Sequence, residues 1–239
     1  MRREGFIWEL TPALRSAAST AIGRVLGEGA HAAAASADVL LGYKLNVCSA
    51  LVARLSARAS TLLDAVGGNL LAGLEVVKRG RRAGGLRADD PEVLELATAA
   101  TVAAHAVGEL VREVKRDAAE LVKFRCITDG TARLIRDAAE KVVRAGGSLA
   151  MVSNAAALAQ AALQASGEFL SAARPAAASL RGSGDRVAQR LAEHFEEWGA
   201  PLVESAAASL REKVEGRRSE ARELLEEALA LARRARVTV

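Results

Sequence analysis

Few residues in this chain are of types that do chemistry, and their spacing limits the chemistry open to them. Cys48 and Cys126 form no Cys-x-x-Cys, which gives no sign of a zinc site or of a small disulfide scaffold. Two readings stay open for them: a pair of small buried hydrophobes, or a disulfide or redox pair if the fold brings them together. A dinuclear iron site in a helical bundle asks for Glu-x-x-His on two separate helices, and only Glu28 to His31 has that spacing. Val102 stands three before His105, and Leu191 three before His194. No Gly-x-Ser-x-Gly elbow, Cys-His signature, Walker loop or Gly-x-Gly-x-x-Gly occurs, and Gly182-Ser183-Gly184 reads as a turn. The expectation is a protein that is not an enzyme, with no catalytic residue, no metal and no cofactor.

One local excess of charge stands out. Lys78, Arg79, Arg81, Arg82 and Arg87 lie among glycines at what reads as a hairpin tip. Basic residues there complement the negative end of a helix dipole, and the same cluster would suit anionic lipid headgroups or an acidic patch on a partner. Elsewhere acids and bases interleave, with 12 basic and 11 acidic residues over 81–146 and 10 and 11 over 185–239, as on solvated helix faces. A nucleic-acid binder would show a one-signed stripe with stacking aromatics, so nucleic acid is not an expected partner.

The elements that must position these residues are helices. The chain is 51% hydrophobic but only 3% aromatic, with 4 prolines, and much of its apolar content is alanine, which favours helix over strand. Phe6, Leu10, Leu14, Ala17, Ala21 and Val25 fall at helical spacing and define a short amphipathic helix, with a hinge at Gly27 to Gly29. From Leu40 to Val77 the apolar residues superimpose at a period of eleven: Leu40, Leu51 and Leu62; Leu41, Val52, Leu63 and Leu74; Cys48, Ala59 and Leu70. That is one long helix with a slowly drifting apolar stripe. Gly67, Gly68 and Gly73 inside it imply a close crossing by another helix, or a break at Gly67-Gly68.

Glycines near 80–85, at 146–147 and at 182–184 stop helices, and Asp89 or Asp90, Ser148 and Asp185 start the next ones. The helices therefore read as approximately 30–79, 90–145, 148–181 and 185–236, with residues 1–29 as the N-terminal helix and hinge and 30–239 as one bundle. Arg125 to Gly130 is the weak point of the second helix, Pro175 should bend or end the third, and Pro201 should kink the fourth. The third has only Glu168, Arg174 and Arg181 for charge, so it should be buried or lie against another chain. The fourth carries coiled-coil-like heptads interrupted by Arg217. If the first hairpin turns near residue 84, position n faces about 169 minus n, which sets Cys48 near residue 121, about one turn from Cys126, and His105 opposite Asp64.

The fold class expected is all-α: an elongated antiparallel bundle of about four long helices plus a short N-terminal amphipathic helix. The N-terminus lacks the apolar core of a signal peptide, and no run reaches the ~18 uncharged apolar residues of a membrane span. The cysteine usage suggests the cytoplasm or another reducing compartment, with attachment to the edge of a membrane or an organelle interior left open. The function expected is a scaffold or assembly subunit acting through protein–protein contacts, including self-association. The eleven-residue period and small residues of 40–77 also resemble the exchangeable apolipoproteins, perilipins and phasins, which implies a lipid surface as the alternative partner. The alanine-rich helices resemble talin and vinculin rod bundles as well, which implies the scaffold.

Overall fold

The computed structural model describes residues 37–82, 91–145 and 149–217, with backbone alone over 69–82 and at 92, 96, 97, 99, 100, 103 and 149, and all regular structure among them is helical. The elements are α1 (Ala37–Arg82), α2 (Pro91–Lys123), α3 (Asp129–Arg144), α4 (Leu149–Arg181) and α5 (Arg186–His194). A π turn (Phe195–Gly199) then leads into α6 over 200–217. The expected N-terminal helix, Glu28 and His31, the hairpin tip with Arg87, and the heptads beyond 217 lie outside the described residues.

α1 runs unbroken through Gly67-Gly68, 46 residues in all, and its drifting stripe is buried as far as its side chains are described: Leu45, Val52, Leu55, Ala59, Leu62, Leu63 and Val66 are all core. Three neighbours cover it. α2 returns antiparallel, with Arg54 on Asp117 and Arg58 on Glu113, pairs that each sum to 171. α4 crosses antiparallel through small residues, with Ser56 and Ser166 hydroxyls hydrogen-bonded at 3.1 Å and Ala159, Ala162, Ala165 and Ala173 buried along the contact face. α6 lies parallel to α1 on the remaining side, from Asn46–His194 to Asp64–Lys213.

The expected single helix over 90–145 is two helices. α2 ends at Lys123, and α3 begins at Asp129 and runs back antiparallel, with Lys115 reaching Glu140 at 3.1 Å. The stop is a Schellman motif: Cys126 N–H donates to Leu121 C=O at 2.8 Å and Arg125 N–H to Val122 C=O at 2.9 Å. Its left-handed residue is Arg125, at φ 51°, where glycine is usual. A heptad continued straight would bury Arg125 and Thr128; turning the chain leaves Arg125 half-buried and makes Thr128 the N-cap of α3, its side chain accepting from Thr131 N–H.

Pro175 does not end α4, which continues to Arg181 with the proline exposed. Between α5 and α6 the π turn closes through Ala200 N–H to Phe195 C=O, and Pro201 follows directly. Proline has no N–H to give, and its ring collides with the carbonyl four residues back; widening the preceding turn moves the carbonyls off that register. Two close crossings seat this segment on α1: a Cβ on Gly42 would lie 2.7 Å from Leu191 Cβ, and one on Gly199 2.8 Å from Ser49 Oγ. On the other side Phe195 packs edge-to-face on Phe169 of α4, centroids 6.2 Å apart, both fully buried.

Candidate functional site

The junction of α1 with the α2–α3 turn gathers the most chemistry. Cys48 and Cys126 form a disulfide with Cα atoms 5.4 Å apart. The hairpin register alone places residue 123 opposite Cys48; the left-handed turn at Arg125 folds Cys126 back over Leu121 and brings it within bonding reach. Both cysteines are buried, at 1% and 0% exposure. Of the two alternatives the sequence left open, the cysteines are joined as a disulfide, and it lies in the core.

Below the turn, Glu168 of α4 caps α3 from outside. Its Oε1 accepts from Thr128 N–H at 2.6 Å, and its Oε2 accepts from Thr131 Oγ1 at 2.5 Å. Gln164 adds a hydrogen bond to Thr131 Oγ1 at 3.3 Å. The carboxylate meets the positive end of the α3 dipole, which explains why the least charged helix keeps this one acid.

On the α1–α2 seam, Asp117 is fully buried between two arginines. Arg58 donates to its Oδ2, and Arg54 Nη2 stands 2.7 Å from its Oδ1 as a charge contact without hydrogen-bond alignment. Arg54 also reaches Glu120 at 2.5 Å. Burial works against the Arg54 charge, but the Glu120 and Asp117 carboxylates outweigh it and hold its pKa above the usual arginine value. Each group is matched within the cluster, which locks the helix register and leaves no charge waiting for a substrate.

The two histidines among the described residues do not converge. His105 is exposed, 3.9 Å from Glu109 on its own helix, while Asp64 is taken by Lys213 and Arg217 of α6. His194 Nδ1 meets Asn46 Oδ1 at 2.7 Å at the edge of α5. Among the described residues no group of three His, Cys, Asp or Glu side chains could hold a metal ion. Lys78, Arg79, Arg81 and Arg82 occupy the last turns of α1, and their side chains, like Arg87, lie outside what is described.

Two surface features were not singled out from the sequence. A groove of about 800 Å³ is lined by Ala157, Ala161 and Gln164 of α4, Leu134 and Lys141 of α3 and Arg211 of α6. On the outer side of the π turn and α6, Trp198 and Leu202 stand one turn apart at 67% and 51% exposure. The Trp198–Leu202 spacing carries the signal for that pair, masked in the sequence by the stronger Phe195–Val203–Leu210 core series. The stretch Ala37–Gly68 is long and apolar enough to cross a membrane by length and composition, beyond what the uncharged-run count suggested, but 67% of its most apolar window is buried inside the bundle. No protein-family model matches the chain, and no curated protein or solved structure is significantly similar to it.

Proposed function

We propose that the protein is a non-enzymatic helical scaffold or assembly subunit that works through protein–protein contacts, its own copies included. The observation that carries this reading is the placement of Trp198 and Leu202. As far as Val66 the apolar stripe of α1 is consumed internally, yet Trp198 of the π turn is left two-thirds exposed on a segment that packs closely on α1 at Gly42 and Gly199. Buried on contact, an exposed tryptophan is among the side chains that contribute most to association. The test is light scattering on the full chain. A fixed mass above the 24.9 kDa of one chain is expected, falling to that of a monomer for Trp198→Glu with helicity unchanged. A monodisperse wild-type monomer would count against the reading.

The lipid-surface reading has its own supporting observation, the apolar window within Ala37–Gly68. It requires α1 to part from α2, α4 and α6, because those helices cover the stripe. Flotation with phosphatidylcholine–phosphatidylserine vesicles separates the two readings: a scaffold stays in the lower fraction, and a lipid binder rises. Leu63 is unsuitable for a charge substitution in that assay, since it is buried and a glutamate there would unfold the bundle.

A further inference from the structure

We infer that the Cys48–Cys126 bond is made while the chain folds and is then sealed, so that the folded protein keeps the redox state of the compartment in which it closed, an oxidising one. The inference is independent of the scaffold reading. These are the only two cysteines in the chain, and they are held with Cα atoms 5.4 Å apart, inside the range that a disulfide spans without backbone movement. The pairing depends on the turn: Cys126 follows the left-handed Arg125, and its N–H is tied to Leu121 C=O. Leu45, Ser49 and Val52 around Cys48, and Leu121 and Ile127 around Cys126, are at most 1% exposed, as are the cysteines themselves.

Exchange requires a thiolate to approach a sulfur in line with the S–S bond, and the closed bundle offers no such path. Formation removes two electrons and two protons from the two thiols and passes them to a disulfide oxidant, which leaves as two thiols. A dithiol reductant reverses this and leaves as a cyclic disulfide. Both directions need α1 and the α2–α3 turn to separate first. The proposal departs from the reducing compartment that the cysteine spacing suggested, because a pair of this geometry persists as a disulfide where oxidants of that class are maintained.

The experiment uses the full chain. Native protein is held in millimolar dithiothreitol, quenched in acid at intervals, alkylated with N-ethylmaleimide after unfolding, and weighed by mass spectrometry. Native protein should gain two labels about a hundredfold or more slowly than the same chain in concentrated urea, because reduction waits on opening. Equal rates would overturn the sealing. For the compartment, cells of the natural source are lysed directly into acid and alkylated; chain with no label supports the oxidising compartment, and chain carrying two labels overturns it.

Discussion

At the scale of single residues, the bundle is set by a few positions where backbone or charge could not be placed otherwise. Arg125 holds a left-handed conformation that costs an L-residue about 1 kcal/mol, so Arg125→Gly should raise stability by about that amount, read as a higher urea midpoint. The glycines divide by what surrounds them. Gly68 has no atom within 4 Å of an added Cβ, so Gly68→Ala should stabilise by about 0.5–1 kcal/mol through helix propensity. The close neighbour expected near Gly67-Gly68 is at Gly67, where a Cβ would lie 2.7 Å from the Arg217 guanidinium, and it is a side chain instead of a crossing helix backbone. The same contact accounts for the arginine that interrupts the apolar heptads: Arg217 passes over Gly67 toward Asp64, 3.6 Å away. Gly199→Ala, by contrast, drives a methyl group against Ser49 Oγ and Phe195 and should cost about 1–3 kcal/mol, part of it recovered in the Ser49→Ala background.

At the scale of elements, the long helices and the places where they weaken were legible in the sequence, and the form each interruption takes was not. The stripe from Leu40 to Val66 and the Asp185 cap both appear as read, the cap with Oδ1 accepting from Val187 and Ala188 N–H; Leu70, Leu74 and Val77 lie outside the described side chains. The α2–α3 turn left little trace because its left-handed residue is an arginine and its cap is completed by Glu168, 40 residues further along the chain. A local pattern cannot report a partner that distant. Glu168→Ala should therefore unsettle α3 in particular, at about 1–2 kcal/mol, with amide exchange rising first at Thr128 and Thr131. The π turn was equally hidden. A proline at 201 signalled a kink, whereas the chain accommodates it with one wide turn and keeps the helix going.

At the scale of the whole molecule, the all-α class followed from composition and period, while the candidate surface at Trp198 required knowing which face α1 and α4 had already taken. Among the described carboxylates one, Glu140, contributes clearly to the acid response. Hydrogen bonding to Lys115, helped by its charge and that of Arg144, holds the Glu140 carboxyl below its ordinary value of 4.5. A lowered folded pKa contributes stability above the unfolded value, and that contribution is lost as the pH falls through the folded one. Lys115→Met should thus lower the urea midpoint slightly at neutral pH and leave it unchanged well below pH 4.5, with the difference also shrinking in high salt. The disulfide adds a mechanical consequence. It closes a covalent ring across a sequence separation of 78, with both chain ends outside it. Tension applied between the ends can unravel the rest of the protein but cannot extend the ring. In a single-molecule pulling measurement the oxidised chain should fall short of the reduced one by about 270 Å of contour length, at roughly 3.3–3.6 Å for each sequestered residue.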